Sequence, residues 1–236
     1  TLYKGTGVDS TYKISIPSIQ RAMEFIYKYK DRLAAFIVEP IQQTNPLCEI
    51  HLLKEIEILC NKFGIILIFD EIITGFRCSI KGIASIIEAK PDIIVYGKSV
   101  GGGLPIGITA FTNKIANSTF LDKSKDIQSG GTFSLNHLTS SAAIATLKQL
   151  ELSDYSKLNN LGVYFRNILL SQGIECVGTG SISRILGVKD QGRFTKILFS
   201  NKVLYPTNGV LFTSFKHSHD DIGTIANKII KAYKQL

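Results

Sequence analysis

No run of five basic residues, no apolar stretch long enough to cross a bilayer and no C-x-x-C pair occurs in these 236 residues. The missing basic run removes the usual footprint of a nucleic-acid partner. The net charge of +8, from 27 Lys+Arg against 19 Asp+Glu, is spread along the chain. It reads as solvated surface with some attraction for anions. The longest apolar runs, such as Ile65 to Phe69, are far too short for a membrane helix, so neither nucleic acid nor membrane is an expected partner. Cys48, Cys60, Cys78 and Cys176 are not spaced as a zinc set, and no metal is expected. Unpaired thiols fit a reducing compartment, and the cytoplasm is the expected location. The sequence opens on Thr1 with no basic-then-apolar leader; it is expected to be a fragment of a longer protein. Internal repeats and low-complexity segments are also missing.

What is present is an ordinary globular composition, 44% apolar and 19% charged, with strands and helices in alternation. Ile19, Ala22, Met23 and Ile26 repeat at helical spacing after Pro17, a residue suited to a first turn. Ala34 to Val38 forms a compact apolar run closed by Glu39-Pro40. Leu52, Ile56, Leu59, Cys60 and Phe63 mark a helix, with Gly64 where a cap belongs. A strand at Ile65 to Phe69 ends in Asp70-Glu71. A short helix around Ile80 to Glu88 precedes strands at Ile93 to Tyr96 and Gly107 to Phe111. This order predicts βαβ units and a mostly parallel sheet with helices on both faces. Ligands of such sheets sit beyond the carboxyl ends of the strands, where Glu39, Asp70 and Lys98 all fall.

Beyond this the pattern predicts helices from about His137 to Leu150 and from Tyr155 to Leu170. Short strands follow at Ile174 to Val177, Ile185 to Val188 and Val210 to Phe212. A final helix carries Ile222, Ile225, Ile229, Ile230 and Tyr233 on one face, with Ser218 to Asp221 as a capping box. Residues 1–149 are expected to belong to a large domain and 150–236 to a smaller C-terminal α/β domain.

Two chemistries compete at the strand ends. An apolar strand closed by Asp70-Glu71, with Gly97-Lys98-Ser99 nearby, invites a nucleotide-binding reading. The phosphate loop, however, needs glycine where Asp92 stands, and it normally precedes the Mg²⁺ strand. A lysine amine can instead form a Schiff base with an aldehyde cofactor. Pyridoxal phosphate (PLP) needs an acidic partner on its pyridine nitrogen, which a buried strand-end aspartate supplies. Gly101-Gly102-Gly103 lets the backbone turn sharply beside Lys98.

Phe69-Asp70-Glu71-Ile72-Ile73-Thr74-Gly75-Phe76-Arg77 resembles the aspartate motif of the class-III aminotransferase family. Pro91 to Gly107 resembles its lysine motif, Gly131-Thr132-Phe133-Ser134-Leu135-Asn136 the segment that follows, and His217 to Ile222 a short C-terminal signature. The Thr-Gly-Phe-Arg ending resembles the glutamate-1-semialdehyde 2,1-aminomutase branch. The resemblance implies the PLP-dependent transferase fold of type I. It also implies a small-molecule amino donor and carbonyl acceptor. Lys98 would be the catalytic Schiff-base lysine and a proton carrier. Asp70 would pair with the pyridine nitrogen, and Ile72 would pack on the ring. Gly131 and Thr132 would bind the cofactor phosphate across a homodimer interface, and Glu39 would stand near Asp70.

Departures from the family pattern are Ile73 in place of glutamine, Asn136-His137 in place of Asn-Pro, and short segments after Pro40 and between Gly187 and Tyr205. The phosphate cup and the ring-stacking aromatic belong to an N-terminal half outside this sequence. An amino-acid epimerase, or a truncated chain with a binding role, stays open beside amino-group transfer. Arg77 and Arg184 suit a substrate carboxylate and equally a surface ion pair; neither is assigned.

Overall fold

The computed structural model describes residues 19–42, 50–119 and 131–236. Pro17 and Cys48 lie outside the described residues. Two sheets organise the chain. The first runs β1 (Ala35–Val38), β2 (Ile66–Asp70), β3 (Ile93–Gly97) and β4 (Gly107–Phe111) in that spatial order. The first three strands are mutually parallel, and β4 returns antiparallel to β3. A parallel pair requires a crossover. Helix α2 (Leu53–Phe63) supplies the one from β1 to β2, and the five-residue α3 (Gly82–Ile86) lies on the one from β2 to β3.

Helix α1 (Ile19–Tyr29) buries Ile19, Ala22 and Ile26, and α2 buries Leu53, Ile56, Leu59 and Cys60. These side chains meet Leu67 and Phe69 of β2 in one core. Gly64 ends α2 in the left-handed conformation, φ 69°, which is open to glycine without a Cβ penalty.

Helices on both faces were expected; among the described residues only one face of this sheet is well covered. In-register neighbours Ile37, Ile68, Ile93 and Phe111 form a row across all four strands on the other face. Ile37 is 62% and Phe111 42% exposed. The strand sequences are apolar on both sides, yet the second covering layer is not among the described residues.

Asp92 fastens the amino end of β3. Its carboxylate accepts from the Leu67 N–H at 3.0 Å and from Lys114 Nζ at 3.3 Å, and its side chain is only 10% exposed. Replacing Asp92 by alanine leaves a buried backbone donor unpaired and should cost about 1–3 kcal/mol. Lys114 is 67% exposed, so Lys114→Met should cost less than about 1 kcal/mol. Denaturant midpoints of the two variants check this; equal losses would refute the buried-donor account.

After α4 (Asn113–Thr119), helix α5 (His137–Glu151) packs against the turn that follows β3. Asn136 caps α5 by accepting from the Leu138 and Thr139 N–H groups. The second sheet is an antiparallel meander of β5 (Cys176–Thr179), β6 (Ile182–Ile185) and β7 (Val210–Phe212). It packs with α6 (Tyr155–Leu170), α7 (Gln191–Ser200) and α8 (His219–Tyr233) around a separate core that includes Leu161, Phe165, Phe194 and Ile229. The expected strand at Ile185 to Val188 is shifted: β6 lies earlier and ends at Ile185. The expected strand at Ile174 to Val177 likewise begins only at Cys176. The capping box of α8 is present, with Ser218 and Asp221 bonding each other's backbone N–H groups. A small cluster of Ile41, Cys78, Ile83, Ile182 and Val210 joins the two cores. No helix among the described residues is long and apolar enough to cross a membrane.

Candidate active site

Three parallel strands end on one rim. Asp70 closes β2 and pairs in register with Val95 of β3; Lys98 follows three residues later, immediately after β3. Val38 pairs with Phe69, so Glu39 follows at the level of Asp70 on the outer strand. The fold thus brings Asp70, Lys98 and Glu39 to adjacent strand ends. Glu39 is exposed.

Asp70 is half-buried. One carboxylate oxygen accepts from the Ile72 N–H at 3.0 Å, and the other meets no partner among the described residues. This single bond fixes the carboxylate by a turn of its own backbone and leaves an oxygen for a donor from outside the chain. Lys98 stands at φ 49°, a left-handed conformation that costs a non-glycine residue roughly 1–2 kcal/mol. Such strain persists only where the surroundings over-determine it, and it is concentrated at functional sites. The exposed Lys98 side chain has no hydrogen-bond or ion-pair partner among the described residues.

Ile72 lies beside this lysine. A Cβ added at Gly97 would sit 3.4 Å from Ile72 Cγ2 and 3.3 Å from the Ile106 carbonyl. The apolar side chain therefore rests against the backbone that carries Lys98. An amine, a carboxylate with an unused oxygen and an apolar side chain at one rim suit a flat aldehyde-bearing pyridine ring. The donor set of this chain fits PLP on these terms.

Gly131 and Thr132 are exposed and open the described segment before α5. No hydrogen bond among the described residues joins them to Asp70 or Lys98. Thr132 does not cap α5; Asn136 does.

Glu71 is fully buried and structural. Its carboxylate accepts from Ile83 N–H (2.8 Å), Ala84 N–H (2.9 Å) and Thr74 Oγ1 (3.1 Å). Burial pushes its carboxyl above the usual range, and these donors pull it partly back. Arg77 makes no ion pair among the described residues; its guanidinium stacks on Phe212 at 4.3 Å, and its buried Nε has no partner. Sequence reasoning missed the anchoring of the segment around Arg77 by the C-terminal lobe. The acceptors there are backbone carbonyls, which carry no side-chain signature.

The architecture is that of the PLP-dependent transferase fold of type I. The chain matches the class-III aminotransferase family over residues 9–187, and it belongs to that family. It is 32% identical over 240 aligned residues to glutamate-1-semialdehyde 2,1-aminomutase of Thermosipho africanus, covering 91% of this chain and 56% of that protein. Glutamate-1-semialdehyde 2,1-aminomutase 2 of Lachnoclostridium phytofermentans is 35% identical over 164 residues, 68% of this chain and 38% of the relative. A PLP-bound amine transaminase from an uncultivated Pseudomonas species shares the fold with a TM-score of 0.82 at 24% identity, over 92% of this chain and 56% of that one. The chain spans about half the length, or less, of the curated relatives it matches.

Proposed function

We propose that this chain is the C-terminal part of a PLP-dependent enzyme that moves an amino group, by transamination or by 2,1-transfer. Family membership motivates the reading. The observation that carries it is the Lys98 amine, on left-handed backbone and unpartnered among the described residues, one strand from an Asp70 carboxylate with one oxygen unpaired among them. When bound, PLP takes up the electron pair left on the α-carbon of an amino acid. Lys98 would hold the cofactor's aldehyde carbon and would carry a proton at the substrate α-carbon. Asp70 would keep a proton on the pyridine nitrogen, and Ile72 would pack along one face of the ring. Glu39 adds negative charge at the next strand end. The substrates are a small amino donor and a carbonyl acceptor, and the compartment is the cytoplasm, in keeping with free, buried Cys60, Cys78 and Cys176. Residues 1–149 form the cofactor-binding domain and 150–236 the small one, a division supported by their separate cores.

Incubation with PLP, borohydride reduction and peptide mass spectrometry test the assignment. One pyridoxyl group on the peptide containing Lys98 is expected; an unmodified Lys98 at saturating cofactor would overturn it.

The same reading includes a homodimer. Phe133 (82% exposed), Leu135 (90%), Leu138 (69%) and Ile144 (55%) leave an apolar surface around the start of α5. A second copy would cover it and bring Gly131 and Thr132 to the neighbour's cofactor phosphate. Leu138→Asp should shift the protein to monomer in sedimentation. It should also weaken PLP binding by roughly tenfold or more, the loss of a hydrogen bond to a charged group. An unchanged sedimentation coefficient would contradict the interface.

A further inference from the structure

Four consecutive backbone carbonyls after the Asp70 strand each accept a hydrogen bond from a distant side chain. Gly75 O takes Ser99 Oγ at 3.1 Å, and Phe76 O takes the Tyr155 hydroxyl at 3.2 Å. Arg77 O takes Ser181 Oγ at 2.8 Å, and Cys78 O takes Asn159 Nδ2 at 2.9 Å. The first donor is the neighbour of Lys98. The other three come from α6 and from the turn between β5 and β6, in the C-terminal lobe. Further contacts run the same way: the Cys78 thiol reaches the Thr179 carbonyl at 3.5 Å, and the Arg77 guanidinium covers Phe212. At the other side of the segment the Phe76 ring meets Tyr96 of β3, with centroids 5.1 Å apart.

Buried carbonyls outside regular structure need partners, and one bonded neighbour apiece would satisfy that need. The arrangement does more, because the donors belong to two different bodies. Residues 75–78 form a tie between the turn that carries Lys98 and the C-terminal lobe. Both Phe76 (φ 62°) and Lys98 (φ 49°) hold left-handed backbone without being glycine, so the tied segment and the turn it reaches each store strain that external bonds must offset.

We infer that Tyr155, Asn159 and Ser181 are positioning residues for Lys98, acting through the 75–78 carbonyls and Ser99. The inference deepens the proposed function, on which the role of Lys98 rests. The placement of the C-terminal lobe sets the backbone of the lysine turn, and loosening any of the three donors loosens that turn. By linkage the effect is reciprocal: disturbing Ser99 loosens the start of α6.

Amide exchange of the whole chain without cofactor reads this directly. The Gly102 N–H bonds Ser99 O, and the Leu104 N–H bonds Gly101 O, so these two amides report on the lysine turn. Tyr155→Phe and Ser181→Ala should each lower their protection by roughly fivefold, the effect of one lost hydrogen bond. A merely local role would change exchange at residues 76–78 and leave Gly102 and Leu104 untouched, and that result overturns the inference. Ser99→Ala approaches the tie from its other end and decides the matter if either variant does not fold. It should lower protection of the Leu158 N–H, which bonds Asp154 O; unchanged protection there also overturns the inference. PLP uptake by the unsubstituted chain is measured separately. A chain that transmits the loosening but takes up no cofactor would refute the functional reading and leave the mechanical tie standing.

Discussion

On the proposed function, Lys98→Ala in the full-length protein should abolish amino-group transfer while leaving the fold intact. Loss of a positioned proton-transfer group alone lowers a rate by about 10²–10⁴-fold, and this variant also loses the covalent hold on the cofactor. No reduced pyridoxyl adduct should then appear at residue 98. The fold should survive because the Lys98 amine makes no ion pair or hydrogen bond among the described residues. Alanine at φ 49° suffers the same Cβ clash as lysine, so the denaturant midpoint should move by no more than about 0.5 kcal/mol. Lys98→Gly removes that clash and should stabilise the chain by roughly 1 kcal/mol, while being equally inactive. Stability and activity then move in opposite directions at one position, as expected where strain is retained for function. Transfer activity in Lys98→Ala comparable to the parent protein would remove the lysine from its role.

The place of Lys98 in the fold, directly after β3, was legible from the apolar runs on either side of it. Apolar runs locate the strands, and in a parallel sheet the strand ends are where ligands are expected. Asp70 and Lys98 fall at β2 and β3 ends for that reason. Helix α6 was legible to the residue, with Asp154 capping it through the Lys157 N–H. The strand β6 was displaced because its alternation is broken by polar residues. Ser183 is buried and bonds Arg166, whose guanidinium also binds the Gly180 and Ile182 carbonyls. Arg166, a charged residue inside a helix, thus holds the β5–β6 turn and the start of the central strand β6, which apolar periodicity alone cannot show. Helix α7 was not predicted at all. Its readable signal was Asp190, which caps it through the Arg193 N–H, followed by buried Phe194 and Leu198 at helical spacing. The open sheet face was illegible for a different reason. The apolar row of Ile37, Ile68, Ile93 and Phe111 states that something covers it, and a strand sequence does not say which chain segment does. The carbonyl tie at residues 75–78 lies deeper still, since only Tyr155, Asn159, Ser181 and Ser99 carry side-chain chemistry there and each is ordinary in isolation.

Removal of the Glu71 carboxylate should be the most damaging single truncation in the Asp70 loop. Its side chain is fully buried and accepts from two backbone N–H groups and the Thr74 hydroxyl. It is seated against Gly82, whose φ of 72° and missing Cβ admit it: a Cβ there would strike the carboxylate. Glu71→Ala strands these donors in a dry site and should cost several kcal/mol, about 1–3 kcal/mol for each backbone donor left unpaired. The pH dependence has a definite sign. Burial, the largest cause, raises the carboxyl above 4.5 in the folded chain, so the native state binds this proton more tightly than the unfolded chain does. Between 4.5 and the raised folded value the native state carries more of it, and stability therefore falls as pH rises. The contribution is fully present below the unfolded value and is lost as pH climbs through the folded one. Glu71→Gln cannot ionise. It should be less stable, because its amide nitrogen must face a backbone donor, and its deficit should shrink as pH rises from about 4 towards neutrality. Denaturant midpoints measured across that range for both chains decide it: a deficit that grows with pH would mean the three donors outweigh desolvation and hold the carboxyl low.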